Sequence, residues 1–428
     1  MITIFHLIEP VVDSFLKYGD GIGQLVPTVR HADGIWVHVK IAPLIADLEG
    51  ARKVSGFLTT SATYFCSFCL CTSAQMEDVD LSAWRPREGA EVRAQADRWL
   101  NTTTKSGRET LATQYGVRWT PLLRLPYWDP VKHVMLGFMH NWLEGILENH
   151  LRILWGIGVP DDVQKATGEI EQDEKFSESD VSDSASELDG LREEAANAMQ
   201  EDPPSPTASQ TSTLSSSATP TLSDYQQNAY QFDVPDADEN DDNDPDYVDP
   251  AVPFFHFSDS QIAAIRNCIA EIGLPTWVQR PPANLGEKAH GKLKASELLT
   301  LFSSIFPLII PEFWHLPEAT NLDRLHLESF HHLISATNIV CSFKTSNQDA
   351  DTYTHHYVQY RLSIRNLFPQ FKQRPNHHMA MHNGAQMKYW GPLPSLSEFP
   401  GERMNGMLQN INTNRRLSKS SIILSKTS

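Results

Sequence analysis

The spacing of apolar positions predicts an α/β start and a mainly helical end for this chain. Residues 35–42 partly alternate between apolar and polar side chains and are rich in β-formers, which is typical of a strand. Pro43 and Asp47 close this strand, and a short helix is expected over residues 48–57 with Gly56 at its end. Helical spacing then recurs over residues 131–155, 258–272, 295–310, 320–342 and 353–367.

One long stretch between these patterns carries no apolar periodicity. Residues 161–252 hold 25 acidic and 3 basic side chains, with a Ser/Thr/Pro run at 203–223 and an Asp-rich run at 236–249. Such a composition buries too little apolar surface to offset the entropy of ordering the chain. We expect a disordered acidic linker. It could serve only as a solvated spacer, or it could be a segment that binds partner proteins. The predicted divisions are therefore 1–160, the linker, a mainly helical region at 253–414 and an unstructured tail at 415–428.

The distribution of charge decides whether nucleic acid is a plausible partner. The 428 residues carry a net charge of −18, which argues at first against DNA binding because phosphate affinity comes from Lys and Arg. The excess of negative charge lies wholly in the linker, and the remaining residues carry a net charge of +4. Residues 353–428 hold ten Lys and Arg against only Glu398 and Glu402. This basic segment makes DNA an expected partner again.

Other features limit the cellular compartments in which the protein is expected. Five cysteines in this length exclude a disulfide-rich secreted scaffold. The first residues have no basic stretch ahead of an apolar run, so a signal peptide is not expected. We find no stretch of about 20 apolar residues, and therefore expect no membrane span. The predicted compartment is reducing, which means the cytosol or the nucleus.

Asp47 is the first residue with two interpretations. It follows the predicted strand, and carboxylates just beyond the carboxyl end of a strand often carry chemistry in α/β folds. It also precedes a predicted helix, where an aspartate commonly caps the first turn. The local pattern alone favours the capping role.

Cysteine and histidine residues form the compact clusters of metal-ligating side chains. Cys66 and Cys69 are spaced as a Cys-x-x-Cys turn that can direct two thiolates at one zinc ion, and buried structural cysteines are the alternative. The other ligands must come from distant residues, and His140 is a candidate. His140 shares a helix face with Glu144, although such a face is usually only solvated. A second cluster could bind a metal or only start a helix, and it comprises His377, His378 and His382.

Several motifs occur in a fixed order along the chain. They are Phe65-Cys-Ser-Phe-Cys, Leu125-Pro-Tyr-Trp-Asp-Pro, Pro375-Asn-His-His-Met-Ala-Met-His and Phe399-Pro-Gly-Glu-Arg-Met-Asn-Gly. Together they resemble the transposases of CACTA (En/Spm) DNA transposons, especially those of mushroom-forming fungi. The resemblance covers most of the chain outside the acidic linker and the last dozen residues.

The resemblance implies a DDE-type transposase that acts in the nucleus on the DNA of transposon ends. Whether the protein forms a homo-oligomer is left open. The implied fold is a partial RNase H-like core with a helical insertion, followed by the linker and the helical region. Three carboxylates in such a core hold two Mg²⁺ or Mn²⁺ ions that cleave and join DNA strands. The resemblance assigns Asp47 as one catalytic acid and Glu402 as a weaker candidate for another. It implies a structural zinc knuckle of Cys66, Cys69 and His140.

Three departures from the family pattern predict impaired catalysis. The first catalytic Asp would lie upstream of residue 1, and Gly137 stands where the family's Asp-x-x-His motif has its acid. The residues after Asn414 do not continue the pattern. The alternative function is a non-enzymatic, domesticated DNA-binding protein. A zinc-dependent hydrolase or deaminase is disfavoured because His-Glu-x-x-His and the paired deaminase motifs are absent.

Overall fold

The computed structural model describes residues 4–19, 23–41, 43–158, 255–287, 292–401 and 403–404. Over these ranges the protein is mostly helical, with one small antiparallel sheet. The predicted acidic linker 161–252, Glu402 and the predicted tail 415–428 lie outside the described residues.

The only sheet among the described residues is a surface hairpin. Strand β1 (Gln24–Val26) pairs antiparallel with β2 (Ile35–Val37), so the strand predicted over residues 35–42 is observed at its first three positions only. Trp36 is 62% exposed, which shows that this hairpin covers no core. With no larger sheet in the described part of the chain, the predicted RNase H-like core is not confirmed.

The first half of the chain is otherwise built from helices and loops. The α-helices are α1 (Ile4–Gly19), α2 (Leu48–Ser55), α3 (Gly89–Asn101) and α4 (Lys105–Tyr115). Helix α2 confirms the short helix predicted after the strand. It begins where the Asp47 side chain accepts a hydrogen bond from the Gly50 amide, and it ends at Gly56 in the left-handed conformation, with φ 87°.

The long helix predicted over residues 131–155 is shorter and wider than expected. It consists of the π-helices Phe138–Leu147 and His150–Leu154. The residues before Phe138 are extended because Leu44 pairs with Val134 in a parallel bridge. The Leu44 amide donates to the His133 carbonyl (2.8 Å) and the Met135 amide donates to the Leu44 carbonyl (3.0 Å). These backbone groups are therefore unavailable for a helix.

The region after residue 254 contains the four helical stretches that the sequence predicts there, together with two short helices after residue 374 that apolar spacing did not predict. They are α5 (Asp259–Glu271), α6 (Ala295–Thr300), a π-turn (Leu301–Ile305), α7 (Phe306–Trp314), α8 (Asn321–Val340), α9 (Asn347–Leu367), α10 (Pro375–Met379) and α11 (Asn383–Trp390). Ser258 and Thr320 cap α5 and α8 with their side chains. Helix α9 begins six residues earlier than predicted, because Ser346 caps it by accepting from the Asp349 amide.

The regions before and after the linker share one hydrophobic core. Trp142, from the first π-helix, packs against Tyr353 and Tyr357 of α9 at ring-centroid distances of 5.5 and 5.2 Å. Trp155 packs likewise against Phe302 at 6.1 Å. Burial of these large aromatic side chains is the main force holding the two regions together.

One helical stretch, Ala295–Trp314, meets the length and composition of a membrane span. A core helix of a folded protein meets the same criterion, and this one packs its apolar face into the shared core. The buried side chains of that face are Leu298, Leu301, Phe302, Ile305, Phe306, Ile310 and Trp314.

Candidate metal centre

The loop that carries Cys66 and Cys69 is fixed by backbone hydrogen bonds. The Leu70 amide donates to the Arg85 carbonyl and the Arg87 amide to the Phe68 carbonyl, each at 2.9 Å. The Arg87 guanidinium also donates to the Cys66 carbonyl, at 2.9 Å. The turn is tight enough that the Phe68 amide donates to Cys66 Sγ at 3.4 Å. Both thiols are thereby held on one side of the loop, in the core.

A helical segment near the end of the described chain presents two imidazoles to these thiols. Helix α10 continues as the 3₁₀ turn Ala380–His382, and His378 and His382, four residues apart, share a face of it. The segment is anchored by Tyr353, whose hydroxyl donates to the Ala380 carbonyl at 3.0 Å. Tyr357 donates in the same way to the His377 carbonyl at 3.0 Å.

The four side chains form a compact Cys₂His₂ group. Cys66 Sγ lies 3.4 Å from His382 Nε2, and Cys69 Sγ lies 3.3 Å from His378 Nε2. The two Nε2 atoms are 3.4 Å apart, and all four ligand atoms lie within 4.8 Å of one another. Tetrahedral zinc, with bonds of about 2.3 Å to sulfur and about 2.0–2.1 Å to nitrogen, separates its ligand atoms by about 3.3–3.8 Å. The group could therefore hold a metal ion such as zinc.

Burial and electrostatics suit this group to a metal cation. Cys66, Cys69 and His378 are buried, and Trp84 packs on the His378 ring at a centroid distance of 4.4 Å. Burial opposes ionisation of Cys66, but the Cys69 thiol and the two imidazoles outweigh it and lower the Cys66 pKa well below its usual range. The Cys69 pKa is raised, because its thiol donates to Cys66 and because it is buried. Metal binding would remove the Cys69 proton as well.

His140 does not belong to this group, in contrast to the sequence expectation. Its Nδ1 lies 3.0 Å from Glu144 Oε2, one turn along the same π-helix. The hydrogen bond to Glu144 raises the pKa of His140 against the effect of burial. The ligand positions predicted for it are taken by His378 and His382, which follow Cys69 by 309 residues or more and meet it only through the fold. His377 caps α10 instead: the Arg374 amide donates to its Nδ1 at 3.2 Å.

The Glu398 carboxylate lies against Gly137, the position where the resemblance expects an acid. The bridge between Leu44 and Val134 carries residues 44–47 alongside Gly137, so a Cβ built there would lie 3.1 Å from the Ala46 carbonyl oxygen. The same Cβ would overlap Glu398 Oε1, closer than any non-bonded contact allows. Glu398 Oε2 accepts from the Met139 amide at 3.0 Å. The Glu398 carboxyl thus fills the space that an acidic side chain at position 137 would need.

The electrostatics of this region couple three acids to one histidine. The charges of Glu398, Glu144 and Asp47 all raise the pKa of His140. Glu398 is only 5% exposed, and burial raises the pKa of its carboxyl despite the Met139 hydrogen bond. Asp47 is the cap of α2 in the structure; the resemblance alone gives it a metal-binding role. Glu402, the other predicted acid, lies outside the described residues.

An open cleft of about 410 Å³ adjoins one of these acids, Glu144. Lys292 and Lys294 also line it, and both residues are exposed. The charge of Lys292 helps to lower the Glu144 pKa, after the larger effect of the His140 hydrogen bond. The cleft is lined by Met139, Glu144, Lys292, Leu293, Lys294, Ala295, Ser296 and Phe399.

Comparison of the chain with models of known protein families and with curated proteins gave no match in either case.

Proposed function

We propose that this chain is a transposase-derived protein that binds DNA in the nucleus without cleaving it. The observation that carries the proposal is the cleft lined by Glu144, Lys292 and Lys294, in which two exposed lysines accompany a carboxylate. That carboxylate is hydrogen-bonded to His140, on which the charges of Asp47 and Glu398 also act. A phosphate-binding cation pair beside carboxylates is the arrangement expected of a chain descended from a nuclease-like core. The proposal includes descent from the transposases of CACTA transposons and from their RNase H-like core.

The lysines of the cleft supply the affinity for DNA in this account. Lys292 and Lys294 are two residues apart at the start of α6, and neither makes a side-chain salt bridge among the described residues. Their ammonium groups would bind consecutive phosphates of a DNA strand and release the counterions condensed there. Exposed cations further along the chain, at Arg365, Lys372 and Arg403, would extend the path. Arg361 is fully buried and takes no part.

The acids explain why strand cleavage is not part of the proposal. Two-metal chemistry needs carboxylate oxygens converging on a site for two divalent ions about 3.5–4 Å apart. Among the described residues, no cluster of metal-ligating atoms includes a carboxylate. Asp47 caps α2, Glu144 pairs with His140, and Glu398 is buried with a raised pKa. Each carboxylate is committed to the fold, and binding of Mg²⁺ or Mn²⁺ is correspondingly weak in this account.

Zinc has a structural role in the proposal. A closed set of four protein ligands leaves no position for water or substrate, which is the pattern of structural rather than catalytic zinc. Bound at Cys66, Cys69, His378 and His382, the ion would join the Cys-x-x-Cys loop to the segment that leads to Glu398. The position of Glu398 would then depend in part on zinc.

A salt-dependent binding assay tests the proposal. The full chain is titrated against a random-sequence DNA duplex in gel-shift or fluorescence-anisotropy experiments, and log K is plotted against log salt concentration. We expect Lys292→Ala/Lys294→Ala to weaken binding and to reduce the magnitude of the slope by about 1.8, since each phosphate contact contributes about 0.9.

A matched control removes the same charge elsewhere. Lys105→Ala/Lys132→Ala changes two exposed lysines that do not line the cleft, and it should leave the slope close to that of the unmodified chain. No binding at low salt, or an equal loss in both double variants, would contradict the proposal. Cleavage of the duplex with Mg²⁺ or Mn²⁺ that disappears in Asp47→Asn would contradict its non-catalytic part.

A further inference from the structure

Four histidines line the seam between the two longest helices. His331 and His332 lie on α8, and His355 and His356 lie on α9. Because adjacent residues of a helix are about 100° apart, each pair places its rings on both sides of the line along which the helices touch. The ring of His356 lies 5.6 Å from that of His331 and 5.2 Å from that of His332, between centroids.

Three of these rings bring nitrogen atoms to one point. His332 Nδ1 lies 2.9 Å from His356 Nδ1, and one nitrogen from each of His331, His332 and His356 lies within 4.8 Å of the other two. A tetrahedral ion with metal–nitrogen bonds of about 2.0–2.1 Å separates its nitrogen ligands by about 3.3 Å. The separation of His332 and His356 is within about 0.4 Å of this value, and the His331 nitrogen lies close enough for ring rotation to complete the site.

The backbone beneath the histidines is held rigidly. Leu333 and Tyr357, each next to a histidine in sequence, are fully buried in the shared core. Ser363 donates a hydrogen bond to Ser329 across the same helix pair at 2.7 Å, which fixes the register of α9 against α8. The three rings therefore stay together whether or not an ion is present, and little ordering entropy opposes binding.

We propose that His331, His332 and His356 form a second metal site, which takes a late first-row divalent cation such as Zn²⁺, Ni²⁺ or Cu²⁺. Neutral imidazole suits these ions, whereas Mg²⁺ and Ca²⁺ require oxygen ligands. His331 is exposed and the other two rings are half-buried, so the remaining coordination position faces solvent. The site binds through nitrogen alone, which separates it chemically from the Cys₂His₂ centre.

The surroundings of the site favour a cation. Glu328 lies one turn before His332 on α8, and its charge acts on that ring. Burial, followed by the neighbouring imidazoles, lowers the pKa of His332, and burial does the same for His356. His355 flanks the group without belonging to it, its ring centroid 6.3 Å from that of His332.

Metal stoichiometry tests the site directly. The full chain, prepared without a histidine tag, is dialysed to equilibrium against Zn²⁺, and bound zinc is measured in the unmodified chain and in His331→Ala/His332→Ala. We expect the double variant to bind one equivalent fewer. The single variant His331→Ala changes an exposed ring, which safeguards folding, and should weaken that equivalent by more than about 100-fold, since even an outer-shell partner is worth about 10–100-fold.

A control and a spectroscopic readout complete the test. His31→Ala/His315→Ala removes two exposed histidines outside the cluster and should leave the stoichiometry unchanged. Co²⁺ added to protein that holds one equivalent of zinc, at the Cys₂His₂ centre, should give ligand-field absorption without thiolate-to-metal charge transfer, as an all-nitrogen site requires. Equal zinc content in the unmodified chain and in His331→Ala/His332→Ala would overturn the proposal, as would a charge-transfer band from this equivalent of cobalt.

Discussion

Glu398 stands in the place of a side chain that Gly137 lacks. Its Oε1 atom overlaps the position that a Cβ at residue 137 would take, while Oε2 accepts from the Met139 amide two residues further along the chain. The glycine that departs from the family pattern and the buried glutamate near the end of the described chain are therefore one structural unit. A side chain at 137 and the native position of Glu398 exclude each other.

This exclusion predicts a stability change for Gly137→Ala. The new methyl group must displace the buried Glu398 carboxyl, and overpacking of this kind costs about 1–3 kcal/mol in the free energy of unfolding. In a Glu398→Ala background the same substitution should cost clearly less, because the overlapping atom is gone. Denaturant unfolding of the four proteins in this double-mutant cycle measures the coupling.

Gly273→Ala is the matched control for that cycle. A Cβ at Gly273 meets nothing within 4 Å, so its cost should be small and the same in both backgrounds. Additive effects of Gly137→Ala and Glu398→Ala would show that the two positions do not compete for space.

Substitutions at Asp47 separate its capping role from a role in metal binding. Asp47→Ala removes the acceptor for the Gly50 amide and should lower the free energy of unfolding by about 0.5–2 kcal/mol. Asp47→Asn keeps an acceptor oxygen and should retain most of that stability. Thermal unfolding with and without Mg²⁺ measures both effects. A Mg²⁺-dependent stabilisation that is present only with aspartate at this position would reveal an additional metal-binding role.

The burial of His150 leads us to expect that the free energy of unfolding falls in acid. His150 is buried against Tyr360, whose hydroxyl lies 2.9 Å from His150 Nδ1, and burial lowers its pKa to about 3. Between the ordinary histidine pKa near 6.5 and pH 3, the unfolded chain binds a proton there that the folded protein does not. The histidine therefore costs folding up to about 1.4 kcal/mol for each pH unit of this window as the pH falls, and nothing above it.

The difference between the unmodified chain and His150→Gln isolates this contribution. The unmodified chain should lose stability relative to the variant as the pH falls from 6.5 towards 3, while other acid-sensitive groups cancel in the difference. His31→Gln, at an exposed position, should show no such trend. A pH-independent difference for His150→Gln would mean that the ring is protonated in the folded state.

Local pattern predicted α2 and the helices between residues 258 and 367, and the reason is visible at their ends, whereas α1, α3, α4 and α11 were not predicted. Gly56 stops α2 and Ser258 starts α5, each through a backbone or side-chain contact within a few residues. The strand was predicted less well. Residues 35–42 have the composition of a strand, but only the first three pair with another strand, and because this hairpin lies at the surface no core extends the pairing. The late start of the helix at Phe138 follows from the pairing of Val134 with Leu44, which no local pattern contains.

Of the four side chains of the candidate metal centre, the sequence predicted the two cysteines as ligands but not the two histidines. The Cys-x-x-Cys turn is a local signal, and both cysteines lie in the group. The histidine partners are more than 300 residues away in sequence, and both His140 and the cluster at 377–382 were available as ligands. The spacing of His378 and His382 on one helix face was a local signal for the second choice, but the sequence interpretation selected His140 instead. Glu398 had no local signal, because its role appears only beside Gly137.

The zinc coordination sphere tests the account most directly, because the geometry of Cys66, Cys69, His378 and His382 specifies which side chains must bind the ion. X-ray absorption at the zinc edge, on protein loaded with one equivalent, should show two sulfur ligands at about 2.3 Å and two nitrogen ligands at about 2.0–2.1 Å. His382→Ala should lose a nitrogen ligand, whereas His140→Ala should leave the spectrum unchanged. A spectrum altered by His140→Ala and indifferent to His382→Ala would contradict the account.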